Sequence, residues 1–373
     1  MCHILKTFNF LVSISVLVLS KKVHDESVFE MLGMGFGEAK DMPKTLRNLI
    51  LLKEDCGEAC DTNTEKYFEK PGKYFDVLKK DFECDFLFEE AMDPILIKEE
   101  QVMKDTVKRG PPTVYDLPKD IAALYTYDYK VQLYGMYINN SKWTEQEEIT
   151  VWSKEEIEYG TELLAKGELR GGYGSKTTDE IKEILQKHMD DNVNNCHVLV
   201  IGSQSPWIET ILLSLGASKV TTLEYAPIES QHPQLNPMTP LALRKIIKSG
   251  EMPQFDSMVT FSSIEHSGLG RYGDALNPWG DLIAMAQAWC LLKPGARALV
   301  GVPGGKDAVH FNAHRTYGRT MLAHLFANWD QIYSTYRDFP QDLGFRADAT
   351  DFCDNEDDSL TYCFQLITVL QKT

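Results

Sequence analysis

Polar residues able to do chemistry stand where apolar runs stop. The run His197 to Ile201 ends in Gly202-Ser203-Gln204-Ser205-Pro206. A glycine there lets a ligand approach the backbone, and the helix that follows offers free amide donors. A second run, Lys219 to Leu223, ends in Glu224. A carboxylate at a second-strand end, about 20 residues after a glycine turn, can accept both ribose hydroxyl hydrogens of an adenosyl cofactor. The run Phe255 to Phe261 opens into Ser262-Ser263-Ile264-Glu265-His266. There His266 can serve as a general base near neutral pH, with Glu265 orienting it or binding substrate. Arg271, Tyr272 and Asp274 continue that loop and can line an acceptor pocket. Further on come His310, Asn312, His314, Arg315 and Tyr317. Two histidines at this spacing would share a helical face and could hold a metal, but no matched ligands accompany them, so no metal is expected. Arg315, beside His314, suits bidentate binding of a carboxylate or phosphate. The alternatives are an ordinary strand-to-helix turn at Gly202, a solvent-facing acid at Glu224, and, for the two later groups, loops whose polar atoms satisfy one another.

These residues need a frame, and the spacing of the runs supplies one. From about Thr178 onward strands and helices alternate, the mark of βαβ units around a parallel sheet. The strands are short and rich in β-branched residues, as buried parallel strands are. Pro206 to Leu215, Leu241 to Lys248, Asp281 to Leu292 and Thr320 to Phe326 read as helices, and Leu360 to Leu370 as a last strand. Gly171-Gly172-Tyr173-Gly174 reads as a turn, with Thr177 or Thr178 capping the next helix. Pro227 to Pro240 reads as a connection without a strand. In such sheets ligands bind beyond the carboxyl ends of the strands, where strand order reverses. The resulting division is a leader over residues 1–22, a mainly helical acidic region over 23–174, and a Rossmann-like domain over 175–373.

The chain has 373 residues and a formal net charge of −17. With no basic run to displace counterions from phosphates, a nucleic-acid partner is excluded, and the acceptor of any reaction stays unknown. Lys6 precedes an apolar run from Phe8 to Ser20, followed by Lys21 and Lys22. That length suits a signal peptide, or else an uncleaved signal anchor, which is the one way a membrane would enter. The location expected is the secretory pathway, with cytoplasm as the alternative. Eight cysteines accord with an oxidising lumen. Cys56, Cys60 and Cys84 could pair among themselves, as could Cys353 with Cys363, whereas Cys196 and Cys290 read as buried thiols. Asn139-Asn140-Ser141 is a glycosylation sequon.

Together the glycine turn, Glu224, the Ser262–His266 segment and Leu291-Leu292-Lys293-Pro294-Gly295 resemble class I S-adenosylmethionine-dependent methyltransferases. More narrowly, Gly202-Ser203-Gln204-Ser205-Pro206-Trp207, Arg271-Tyr272-Gly273-Asp274 and Asn312-Ala313-His314-Arg315 resemble a nematode-centred family of proteins of unknown function. The first resemblance implies a doubly wound, mostly parallel sheet with an antiparallel C-terminal strand. It also implies S-adenosylmethionine as cofactor, held by Gly202, Ser203, Gln204, Ser205, Glu224 and Ser262. Glu265 and His266 would then be the catalytic pair, with Arg271, Tyr272, Asp274, His314 and Arg315 around the acceptor. The sequence departs from that family at its glycine loop, where only Gly202 matches, Val200 replaces an acid, and Trp207 adds bulk. A non-catalytic relative that binds a ligand or partner is therefore the alternative, while a nicotinamide oxidoreductase is disfavoured by the missing Gly-x-Gly-x-x-Gly.

Overall fold

Apolar strands that cannot face water need helices on both sides, and the alternating pattern provides them. The computed structural model describes residues 84–88, 111–117, 119–127, 129–140, 149–274, 276–335 and 362–372. The chain divides into two units, Met1–Asp55 and Cys56–Thr373, the first wholly outside the described residues. The apolar leader, Cys56, Cys60, Cys353, the side chain of Cys363 and Ser141 of the sequon also lie outside them. Helices are α1 (Cys84–Leu87), α2 (Lys119–Tyr125), α3 (Lys154–Ala165), α4 (Ser175–His188), α5 (Asp190–Val193), α6 (Trp207–Ser214), α7 (Pro240–Lys248), α8 (Gly280–Leu291) and α9 (Arg319–Leu325). Strands are β1 (Gln132–Met136), β2 (Thr150–Trp152), β3 (His197–Ile201), β4 (Lys219–Leu223), β5 (Ile228–Ser230), β6 (Leu235–Met238), β7 (Phe255–Phe261), β8 (Leu292–Gly305), β9 (Ala308–Asn312), β10 (His314–Thr316), β11 (Trp329–Ser334) and β12 (Tyr362–Lys372).

One sheet has the order β11-β12-β8-β7-β3-β4-β6. Strands β6, β4, β3, β7 and β8 are parallel, and β12 lies antiparallel between β8 and β11. This is the Rossmann-like, mostly parallel sheet with an antiparallel C-terminal strand that the resemblance implied. The chain builds outward from β3 to β4 and β6, then returns to lay β7 against the other edge of β3. Strand order reverses between β3 and β7, which opens a crevice past Ile201 and Phe261.

Val198, Leu199 and Val200 are fully buried, as a central strand covered on both faces requires. Ile181 and Leu185 of α4 pack with Ile208, Ile211 and Leu212 of α6 in one core that also holds Trp152, Ile157 and Leu164. That core runs across residue 174, so the described residues before it share the packing of those after it. Each such side chain contributes roughly 1.5–3 kcal/mol by leaving water, and Ile211→Ala would cost about 2–5 kcal/mol. The described part of residues 23–174 holds α1 to α3 but also two strands. Here β1 pairs parallel with β9, and β2 parallel with β5.

Several local expectations are corrected. The stretch from Pro227 to Pro240 does contain strands, β5 and β6. Pro237 is tolerated because β6 is an edge strand, where a missing amide donor breaks no ladder. The helix after the glycine turn starts at Ser175 with Gly174 as its cap. Thr178 does not cap it; its hydroxyl donates to the Gly174 carbonyl and accepts from the Gly171 amide, which fastens the turn. Cys84 pairs not with its sequence neighbours but with Cys290 of α8, 206 residues away. Cys196 is the free cysteine among the described residues, and it is half-buried rather than buried. Local spacing carries no information on a pairing of that span. Among the described residues no helix is long and apolar enough to cross a membrane.

Candidate functional site

The crevice at the reversal point is a cavity of about 800 Å³, a size that holds a small-molecule ligand. Its walls come from the loops after β3, β4 and β7, the β9–β10 hairpin, and the turn before α4.

The first wall is Gly202 to Ser205. Gly202 has φ 73, and a Cβ there would sit 1.7 Å from the Ser263 hydroxyl, so any other residue is strained at this position. Glu224, at the tip of β4, accepts from the Ser203 amide at 3.0 Å and the Tyr225 amide at 2.8 Å. Burial raises its pKa and the amides oppose that rise. Both anchors fix the carboxylate and leave lone pairs for a ligand. Beneath lies Glu209 of α6, fully buried and not foreseen from the sequence. Its carboxylate takes the Thr222 hydroxyl at 2.7 Å and the Ser203 hydroxyl at 3.0 Å. Burial pushes its pKa up to about 7. An acid inside the apolar run Ile208 to Leu212 was the available signal, because such a residue is buried only with partners.

The second wall begins at Ser262, whose φ of 50 is unusual for a residue with a side chain and places its hydroxyl over Glu265. That hydroxyl donates to Glu265 Oε1 at 2.7 Å, and the Tyr173 hydroxyl donates to Ser262. Glu265 is fully buried, and Oε2 has no partner among the described residues. Burial raises its pKa to about 7, against the pull of the Ser262 bond and of Arg271 and Arg315. His266 is pushed the other way, to about 3, by burial and by Arg271. Its Nδ1 lies 2.7 Å from the Ala313 carbonyl, which requires the proton on Nδ1. Nε2 is then unprotonated, 3.7 Å from Glu265 Oε1. Near neutral pH the group poised to gain or lose a proton is Glu265, not His266.

Tyr173 reaches this wall through an aromatic cluster. Its ring meets Phe261 edge-on at 5.2 Å, and Trp207 meets the same ring at 5.7 Å. Trp207 leaves no room for a Cβ at Gly171, so the glycine turn lets the indole lie flat against the backbone. The bulk of Trp207 is therefore spent on the turn and Phe261, although it still borders the cavity.

The histidines correct another expectation. His310 and His314 share no helical face; they are cross-strand partners in the β9–β10 hairpin. Their rings stack at 4.7 Å, and Tyr134 of β1 stacks on His310 at 5.2 Å. Burial depresses His310 and takes His314 to about 4. No group of three or more His, Cys, Asp or Glu able to hold a metal occurs among the described residues.

Of the residues expected around an acceptor, Arg271, Tyr272, Asp274 and His314 border the cavity. Arg315 does not. It is fully buried behind the wall, donating to the Ser267 carbonyl at 2.6 Å and the Pro278 carbonyl at 3.1 Å, 3.5 Å from Asp281. Arg315 holds the loop rather than a ligand. Asp274 is likewise committed to its own loop, accepting from the amides of Gly268, Gly270 and Tyr272.

Fold and cavity together define a Rossmann-like α/β protein with a ligand-sized crevice at the reversal point of its sheet. Residues 195–362 match the family described as "Caenorhabditis protein of unknown function, DUF268". No curated protein matches the chain. Among solved structures, the chain is similar to a Burkholderia thailandensis 1,6-didemethyltoxoflavin-N1-methyltransferase with bound S-adenosylhomocysteine. That likeness has 15% identity and a TM-score of 0.35, and covers 52% of this chain and 78% of the other. It is also similar to the [4+2]-cyclase SpnF, at 12% identity and TM-score 0.34, over 60% and 97% of the two chains. The N-methyltransferase NodS of Bradyrhizobium japonicum shows 11% identity and TM-score 0.31, over 52% and 95%. A cyclase stands beside the methyltransferases, so these likenesses say nothing about reaction or substrate.

Proposed function

We propose that this protein is an S-adenosylmethionine-dependent methyltransferase whose acceptor, a small molecule, glycan or protein, is not yet known. The observation that carries the reading is Glu224: a carboxylate at the tip of β4, clamped by two backbone amides, on the wall of a cavity at the reversal point of the sheet. The residues fit such a cofactor. Glu224 has lone pairs left for two ribose hydroxyls, Gly202 keeps the backbone bare, and Ser203 to Ser205 border the space beside them. Glu265 Oε2, buried and without a partner among the described residues, belongs to the same cavity and offers an acceptor for a donor group brought by a ligand.

When bound, this cofactor supplies a methyl group activated by positively charged sulfur. The chain's own part is to align and to exclude water, which for methyl transfer supplies much of the acceleration. Trp207, Phe261 and Tyr173 close the side toward α4. Glu265, whose pKa burial raises to about 7, can in its charged form take a proton from an acceptor O–H or N–H. Calorimetric titration with S-adenosylmethionine and S-adenosylhomocysteine tests this reading. Micromolar binding that weakens at least about tenfold in Glu224→Ala supports it. No binding by the folded wild-type protein sinks it and favours the non-catalytic alternative.

We also infer passage through the secretory pathway, followed by secretion or retention by the N-terminal segment. The disulfide between Cys84 and Cys290 supports an oxidising compartment. Recovery of the chain from cells with Cys84 and Cys290 as free thiols would count against it.

A further inference from the structure

Resting on the methyltransferase reading, we propose that the part of the cavity between the β7 loop and the β9–β10 hairpin is an oxyanion subsite, in which Arg271 pairs with the carboxylate or phosphate of a small, flat acceptor. Arg271 is half-buried and held at several points. Its Nε donates to Asn140 Oδ1 at 2.8 Å and its Nη1 to the Ala313 carbonyl at 3.2 Å, while its own carbonyl accepts from the Asn140 amide. The guanidinium lies over the Tyr272 ring at 5.0 Å. Among the described residues nothing bonds its Nη2, and no carboxylate lies within ion-pair distance. A planar guanidinium fixed through Nε and Nη1, with Nη2 unbonded among the described residues, is pre-organised to pair with an anion.

No carboxylate among the described residues forms an ion pair with that charge, although Glu265 on the same cavity feels it. His266, His310 and His314 are kept uncharged by burial, and Asp274 gives its oxygens to its own backbone amides. A positive charge in a recess from which water is partly excluded attracts an anion more strongly than one on the surface. The walls here are rings: His266 meets Tyr272 edge-on at 5.5 Å, and His314 stacks on His310. Such walls favour a flat ligand over a branched one. The chain's overall −17 would repel a polyanion, but its distant charges are screened beyond about 8 Å and leave a small acid free to enter.

Titrating the purified chain with 4-hydroxybenzoate and phenyl phosphate, with 4-hydroxybenzamide as neutral control, decides the matter. Each run is made with and without S-adenosylhomocysteine. One or both anions should bind at least about tenfold tighter than the amide, as a charged hydrogen-bonded pair implies. The carboxylate and phosphate arms show which source the site prefers. Arg271→Gln should abolish the preference while S-adenosylhomocysteine affinity stays within about twofold, and Arg271→Lys should restore part of it. Should Arg271→Gln fail to fold, competition by inorganic phosphate on the unaltered protein takes its place, and a lack of competition overturns the subsite. Anions no tighter than the amide, on protein that binds S-adenosylhomocysteine, overturn the subsite and leave the methyltransferase reading intact. Anion preference without S-adenosylhomocysteine binding does the reverse.

Discussion

The loops after β3 and β7 each rest on a buried glutamate whose pKa burial raises to about 7, and the two acids are used differently. Glu209 has both oxygens engaged, by Ser203 and Thr222, and does not border the cavity. Glu265 has one oxygen engaged by Ser262, the other bare, and it does border the cavity. The same residue type with the same shift is a fastener in one place and a reactive candidate in the other. A shifted pKa alone does not mark a functional group; an unspent oxygen on a residue that lines a cavity is the further observation that makes Glu265 a candidate.

The contrast can be broken first at the frame of each loop. Replacing Arg315 by Met would leave Asp281 buried without its cation and free the carbonyls of Ser267 and Pro278, at a cost of about 3–5 kcal/mol by chemical denaturation. A loss below about 1 kcal/mol would show that the β7 loop is held by something else. For the β3 loop, Gly202→Ala brings a Cβ against Ser263 in a left-handed conformation, expected to cost about 2–4 kcal/mol. Ser263→Gly added to it should recover only the steric part; no recovery would deny the contact its role.

The two acids themselves should separate by pH. Each has an ordinary value of 4.5 when unfolded and about 7 when folded. Between those values the folded protein holds a proton that the unfolded chain has lost. Stability therefore falls as pH rises from about 4.5 to 7 and levels off above, by at most about 1.4 kcal/mol per pH unit for each group. In Glu209→Gln and Glu265→Gln the unfolding free energy relative to wild type should climb over that window, measured by denaturation at a series of pH values. A flat difference in both would refute the shifts. Only Glu265→Gln should also alter a pH–rate profile once an acceptor is known.

The smallest effect belongs to Tyr173→Phe, which removes a hydroxyl from the Tyr173–Ser262–Glu265 chain at a cost of about 0.5–1.5 kcal/mol. Cofactor affinity should barely change. A loss as large as that of Glu224→Ala would make the turn before α4 part of the cofactor site.

Much of the fold was legible because its cause is local. Runs such as Val198–Leu199–Val200 announce a buried strand, and Gly202, Glu224 and Lys293-Pro294-Gly295 punctuate the order of elements. Strand β6 was not legible, since Pro237 reads as a breaker until its place at the sheet edge is known. Residues 310 to 315 read as a helix face because a spacing of four suits a helix, yet four residues also close a tight hairpin. The candidate site was named at Gly202, Glu224, Glu265 and Arg271, but Glu209 and Tyr173 were passed over. Neither lies at a strand end; Glu209 sits within an apolar helix, and Tyr173 acts through Ser262, 89 positions away.

By itself the sequence determined the alternation of strands and helices, and so the crevice beyond their carboxyl ends, because periodicity and burial are properties of short segments. Only the tertiary structure decided which polar residues face that crevice and which are spent on holding it. Arg315 is locked behind the wall, whereas Arg271 is open to the cavity. Cys84 meets Cys290 across 206 residues. Such assignments depend on contacts between segments remote along the chain, which no local pattern encodes.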